Sequence, residues 1–417
     1  MDVFETVAIL LTLAAVLSYV NHRWWKMPPT IALMLGSLVL SLVLLGVGAL
    51  PVGQGIQPAA RGLVEDMNFG EVMMKGMLGL LLFAGSLHVQ LNDLAEYKWQ
   101  IATYAIVGTV ASTFLVAGLV FGLSGVMSLG IPWIYCLLFG ALISPTDPIA
   151  VLGIMKRVGA SRSLETKISG ESLFNDGIGV VVFISVMEVA MGEEAGIGWI
   201  AKLFLIEAVG GIAFGLVIGY LTFRIIKSID NYHVEILVTL ALVMGGYALA
   251  YRLRTSGPLA MVAAGLLMGN TGRRLGMSRI TREHLDLFWE LIDQILNAIL
   301  FVMIGLEVLV LSARGMYMLA GLIAVPLVLL SRMLTVGAGV MAVGTGRPKT
   351  VAIMTWGGLR GGISVALALS IPQSVPCREL IVTMTYVVVA FAVLVQGMTV
   401  GRLIRAWGGE QITGSEK

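Results

Sequence analysis

Apolar stretches of about 17 to 25 residues, the length a helix needs to cross a hydrocarbon core of about 30 Å, recur from one end of this sequence to the other. They predict thirteen transmembrane helices, at 3–20, 28–48, 70–90, 101–125, 131–154, 169–191, 199–226, 234–252, 257–271, 285–311, 316–343, 349–371 and 379–405, the ninth of them short. The opening MDVFETVAILLTL carries acidic residues where a signal peptide carries basic ones, so the first helix is expected to be retained. No linker or low-complexity stretch marks off a soluble domain, and the tail after Trp407 is too small to fold. Function is therefore expected in the membrane helices and their loops.

Composition agrees with this pattern. The chain is 58% hydrophobic and 12% charged, whereas a soluble domain carries about 25% charged residues. Lys and Arg concentrate in cytoplasmic loops, and with the N-terminus outside and the C-terminus inside, eighteen of the 27 fall in inner loops and the tail and six outside. The basic loop at 251–257 is the weak point of that orientation. Topology explains the basic residues, and a net charge of +2 gives no reason to expect a nucleic-acid partner. Two cysteines cannot build a metal site or a disulfide framework. Cys136 and Cys377 both fall near the outer face, where free thiols are expected and a disulfide stays open.

Polar residues inside the spans carry the chemistry. Asp176 lies nine residues past Lys167, and Asp147 nine before Lys156, which puts each about 14 Å deep at a rise of about 1.5 Å per residue. Arg360, eleven residues past Lys349, reaches about 16 Å. Charges at that depth are costly and face protein or water, where they mark a pathway or form a buried structural pair.

Both the fifth and the twelfth span should break there. In LISPTDPIAVLG (142–153) Pro145 and Pro148 flank Thr146 and Asp147, and in TWGGLRGGISVAL (355–367) paired glycines flank Leu359 and Arg360. Proline removes a backbone donor and glycine lowers the cost of leaving helical geometry. Unwound backbone at that depth survives only within protein or beside a water-filled cavity. Two interrupted spans at corresponding places in the two halves point to an inverted-repeat secondary transporter with its site at the midplane. Asp147 would neutralise the helix N-termini that meet there and Arg360 the C-termini, while Thr146 would offer a carbonyl or hydroxyl to a passing cation.

On the sixth span Ser172 and Asp176 share one face at i, i+4, and Glu171 and Asn175 share the next. Asp176 and the Ser172 hydroxyl supply hard oxygen ligands for a small cation, and Glu171 is expected to pair with Arg360. A proton and a metal cation would compete for the Asp176 carboxylate, which is sufficient for exchange.

These residues resemble the monovalent cation/proton antiporters of the NhaP and eukaryotic sodium/proton exchanger branch. The resemblance covers nearly the whole chain and rests on SPTDP (144–148), GESLFNDG (170–177), FWELIDQILNAILFVMIGLEV (288–308) and TWGGLRGGISVALALS (355–370). It implies an all-α fold of thirteen helices in an inverted repeat with two discontinuous crossing helices, and a homodimer. It implies a six-helix transport bundle, mainly 101–198 and 313–405, moving as an elevator against dimer-forming helices, mainly 1–100 and 199–312, with 406–417 as a short cytoplasmic tail. The substrates it implies are Na⁺ or Li⁺, sometimes K⁺, and H⁺. No cofactor is expected, the activity is transport and not enzymatic, and the location is a prokaryotic inner membrane. By motif, Asp176, Ser172, Thr146 and Asp147 bind the ion or proton, with Na⁺ at Asp176, Ser172 and Thr146; Glu171, Asn175 and Arg360 stabilise the site.

One position departs from relatives that carry an acidic residue in the third span, since LLFAGSLHV (81–89) has Ala84 there. Family members with an Asp-Asp pair tend to be electrogenic, and the Asn175-Asp176 pair implies electroneutral one-for-one exchange. Asp293 and Asn297, with Glu290 and Gln294 nearby, could line the ion's approach or bond between helices. Arg332 and Glu307 are expected to be structural or interfacial, and His88 a solvated or hydrogen-bonded histidine or a pH sensor. Gly211, Gly215 and Gly219 form a ladder suited to close helix packing, with the dimer interface as one place for it. An intramembrane aspartyl protease lacks its Tyr-Asp and Gly-x-Gly-Asp signatures here, and a channel would not need two broken helices of opposite charge. Exchange of K⁺ for H⁺ stays open.

Overall fold

The computed structural model describes residues 3–48, 61–62, 64, 69–159, 162–192, 197–311, 314–342 and 348–408. Arg347, Lys417 and the tail from residue 409 on lie outside the described residues. Within them the chain is helical, and ten helices are long and apolar enough to cross a membrane. In chain order the longer helices are α1 (Val3–Val20), α2 (Pro29–Gly48), α3 (Phe69–Leu87), α4 (Lys98–Val126), α5 (Trp133–Ile143), α6 (Ile149–Val158), α7 (Arg162–Ala190), α8 (Ile197–Ile226) and α9 (Tyr232–Arg252). There follow α10 (Gly257–Leu267), α11 (Arg279–Leu306), α12 (Gly315–Ala342), α13 (Pro348–Gly357), α14 (Gly362–Ser370), α15 (Arg378–Phe391) and α16 (Gly397–Gly408).

Local chemistry sets several starts. Asn231 accepts from the His233 N–H at 3.1 Å, Ser256 from Leu259 at 3.3 Å and Ser278 from Thr281 at 3.3 Å, so α9, α10 and α11 each begin on a side-chain cap that satisfies an orphan donor. The expected ninth span is α10, which runs on through a π-type turn at Met268–Gly272. Every residue of α10 from Gly257 to Leu266 is buried.

Small residues bring the helices together. Hydroxyls of Ser37 and Ser41 on α2 lie against α11, Ser41 donating to the Gly305 carbonyl at 2.9 Å, and Trp289 of α11 donates to Thr239 of α9 at 3.1 Å while its ring packs on Phe83 of α3. The glycine ladder of α8 faces α10 of the same chain: a Cβ at Gly211 would meet Ser256, at Gly215 the backbone of Ala260, at Gly219 that of Ala264. This corrects the thought of a dimer interface, because the small-residue face is spent inside the chain. The large side chains of α8, among them Leu205, Val209, Leu216 and Val217, are exposed on its other faces.

Substituting Gly215→Leu would drive a side chain into the α10 backbone, where neither helix has a flexible atom to yield. Overpacking of this kind costs about 1–3 kcal/mol or more, and thermal unfolding in detergent should show a clear fall in midpoint, with Ala213→Leu, on an exposed position of the same helix, as the unaffected control.

Candidate functional site

Between α5 and α6 the helix stops at Ile143 and restarts at Ile149, and between α13 and α14 it stops at Gly357 and restarts at Gly362. The two breaks touch. Asp147 and Leu359 form an isolated antiparallel bridge, the Asp147 N–H donating to the Leu359 carbonyl at 2.8 Å. The Arg360 guanidinium, 2% exposed, donates to the carbonyls of Ser144 and Pro145 at 2.9 and 3.0 Å. It thus neutralises the acceptors left open where α5 ends. The Asp147 carboxylate lies where a Cβ on Gly361 would fall, next to the first residue of α14. Only glycine leaves room for it.

The long helix α7 packs its polar face against the first break. A Cβ on Gly179 would meet the Pro145 ring, so this glycine lets the unwound segment approach. Asn175 accepts from the Thr146 N–H at 3.3 Å and donates to the Thr146 hydroxyl at 2.9 Å. The hydroxyls of Thr146 and Ser172 are 3.1 Å apart. Glu171, Ser172, Asn175 and Asp176 are all buried. Among the described residues no hydrogen bond reaches the Asp176 carboxylate, and Asp147 is near enough for the two like charges to interact. The chemistry assembled here is one buried carboxylate and, from the same face of α7 and the break it packs on, the paired hydroxyls of Ser172 and Thr146, oxygens of the kind a small hard cation takes.

The expected pairing of Glu171 with Arg360 is not formed. Glu171 is gripped instead by both terminal nitrogens of Arg332 on α12, one of them at 2.9 Å, because Arg360 is occupied by the α5 carbonyls. Arg332, expected from the sequence to be structural or interfacial, is thus the partner of Glu171 that the sequence reading did not name. Its signal was present, as a lone cation in the middle of an apolar span, but a span gives depth and not direction. Asp293 and Asn297 lie one turn apart on α11, and among the described residues the buried Asn297 amide makes no hydrogen bond. They are not part of the hydrogen-bonded cluster of Thr146, Ser172 and Asn175. Asn297 is buried one turn before Leu300, whose side chain fills the space a Cβ on Gly362 would need. Ala84 is buried on α3. Cys136 and Cys377 are free thiols.

Breaking a buried ion pair by removing one partner costs about 3–5 kcal/mol. Arg332→Ala and Glu171→Ala are each expected to lower the unfolding midpoint strongly in detergent, and the double variant to lose less than the sum of the two, since neither charge is then left unpaired.

A family model described as sodium/hydrogen exchanger, transmembrane, matches residues 9–406. The Na(+)/H(+) antiporter NhaP of Pseudomonas aeruginosa is 47% identical across 99% of this chain and 99% of its own length. The Na(+)/H(+) antiporter NhaH of Halobacillus dabanensis is 35% identical across 98% of each. Among solved structures, the sodium proton antiporter MjNhaP1 from Methanocaldococcus jannaschii at pH 8 superposes with a TM-score of 0.78 over 98% of this chain and 100% of that one, at 20% identity, a likeness of fold. Its relatives are transporters and its helices are those of an integral membrane protein: the chain belongs to the sodium/hydrogen exchanger family.

Proposed function

We propose that this protein exchanges Na⁺ for H⁺ across the membrane by letting the two compete for Asp176. The observation that carries the reading is the placement of this buried carboxylate, without a hydrogen-bonded partner among the described residues, next to the Thr146 and Ser172 hydroxyls and the two touching breaks. Asn175 donates into the Thr146 hydroxyl. That hydroxyl then has its own proton to give and a lone pair left for a cation. Thr146, Ser172 and Asp176 would hold the Na⁺, with Li⁺ as a second substrate and K⁺ the alternative cation. Asp147 and Arg360 balance the helix ends, and Glu171, tied to Arg332, fixes α7 in place.

The finer architecture belongs to the same proposal. Counting α10 and the two interrupted pairs α5/α6 and α13/α14 with the ten long spans gives thirteen crossings, read as an inverted repeat with crossing broken helices. The helices of 101–198 and 313–405 would move as an elevator against those of 1–100 and 199–312, the latter pairing two copies. The N-terminus would lie outside and the C-terminus in the cytoplasm of a cell with the protein in its inner membrane. Asp293 and Asn297 would line the approach. Asn175 cannot titrate as a carboxylate, so one group carries one ion each way and the cycle is electroneutral.

In vesicles containing a pH-sensitive dye, Na⁺, Li⁺ and K⁺ are compared with Asp176→Asn as control. The variant is expected to lose exchange, and full activity in it would remove the proposed carrier. Clamping the membrane potential at fixed ion gradients should leave the wild-type rate unchanged, whereas a clear voltage dependence would rule out one-for-one exchange.

A further inference from the structure

Away from the ion site, a groove of about 630 Å³ opens between α12, α13 and α16. That is within the range of about 300–1,000 Å³ typical of pockets for small ligands. Met333, Val351, Ala352 and Leu403 give it apolar walls. Trp356 donates its indole N–H to the Thr399 hydroxyl at 2.8 Å and packs edge-on against Phe391, so its polar edge is satisfied and its ring is held in place where it lines the groove. Among the described residues one charged side chain lines it, the exposed guanidinium of Arg402, and no acidic one does. Trp407, 39% exposed, closes the end nearest the end of α16.

A groove open to the side of a membrane helix bundle meets lipid, and its chemistry selects which lipid. Apolar walls suit an acyl chain. A guanidinium at the rim, with Arg405 exposed one turn further along α16, suits a phosphate whose charge is not cancelled by a neighbouring amine, since basic positions between membrane helices attract anionic headgroups. Tryptophan beside it is the side chain that settles at headgroup level. We propose that this groove binds one anionic phospholipid, its acyl chain along Met333, Ala352 and Leu403 and its phosphate on Arg402. The site is distinct from the ion site but mechanically joined to it. Trp356 immediately precedes the break that carries Leu359 and Arg360, so the lipid rests on the half-helix that supplies Arg360 to the α5 carbonyls. This inference stands whether or not the proposed exchange is correct.

Native mass spectrometry of the full chain in detergent, with dioleoyl phosphatidylglycerol or dioleoyl phosphatidylcholine added, reads the site directly. One phosphatidylglycerol is expected to remain bound under conditions that strip phosphatidylcholine. Arg402→Gln should weaken phosphatidylglycerol about tenfold, the scale of one lost charge-assisted hydrogen bond, and Arg402→Lys should keep most of the binding. Ala352→Phe, which fills the groove, should remove it. Should that variant fail to fold, the Arg402 pair decides alone. Equal retention of the two lipids, or unchanged binding in Arg402→Gln, would overturn the proposal. So would displacement of the lipid by millimolar inorganic phosphate, which would make the guanidinium a free-anion site.

Discussion

Unwound backbone within a membrane protein has to find partners for its N–H and C=O groups, and this protein unwinds two helices where they touch. The solution is reciprocal. The second break lends the guanidinium of Arg360 to the carbonyls at the first, and the first returns the Asp147 N–H to the carbonyl of Leu359. Each break draws from the other a partner that lipid, which offers no donor or acceptor, could not supply. The site is therefore a by-product of backbone bookkeeping: the atoms that complete the bonds are the ones that bring Asp147, Thr146 and α7 together.

The side chains of α7 lock this arrangement in a specific way. Position 175 must accept from the Thr146 N–H and at the same time donate to the Thr146 hydroxyl. An amide does both with one planar group, and an ionised carboxylate can only accept. Asparagine at this position follows from hydrogen-bond geometry independently of any argument about transported charge. One turn earlier on the same face the Glu171 and Arg332 pair fastens α7 to α12, so the helix bearing Asp176 is tied to two neighbours.

The breaks were legible in the sequence because Pro145, Pro148 and the paired glycines around Arg360 have no comfortable place in a helix. What a linear sequence does not contain is direction around each helix axis. Arg332 and Arg360 both lie inside apolar spans, and which of them meets Glu171 depends on how α12 is turned relative to the second break. The ladder of Gly211, Gly215 and Gly219 has the same limit: spacing marks a face for close packing but does not name the helix that occupies it. The π-type turns at Val72–Met77, Thr103–Gly108, Met268–Gly272 and Ala392–Gln396 left no composition signal, because one widened turn inside an apolar run changes register without changing residue type.

Helix α10 is walled in by protein along its length. A segment that never meets acyl chains is released from the matching of apolar length to hydrocarbon thickness that governs its neighbours. Thickening or thinning the bilayer would thus tilt or strain the outer helices, α8 and α9 among them, around a central post that does not itself feel the change. The shortness that made this span look doubtful as a crossing is the mark of a helix whose solvent is the rest of the molecule.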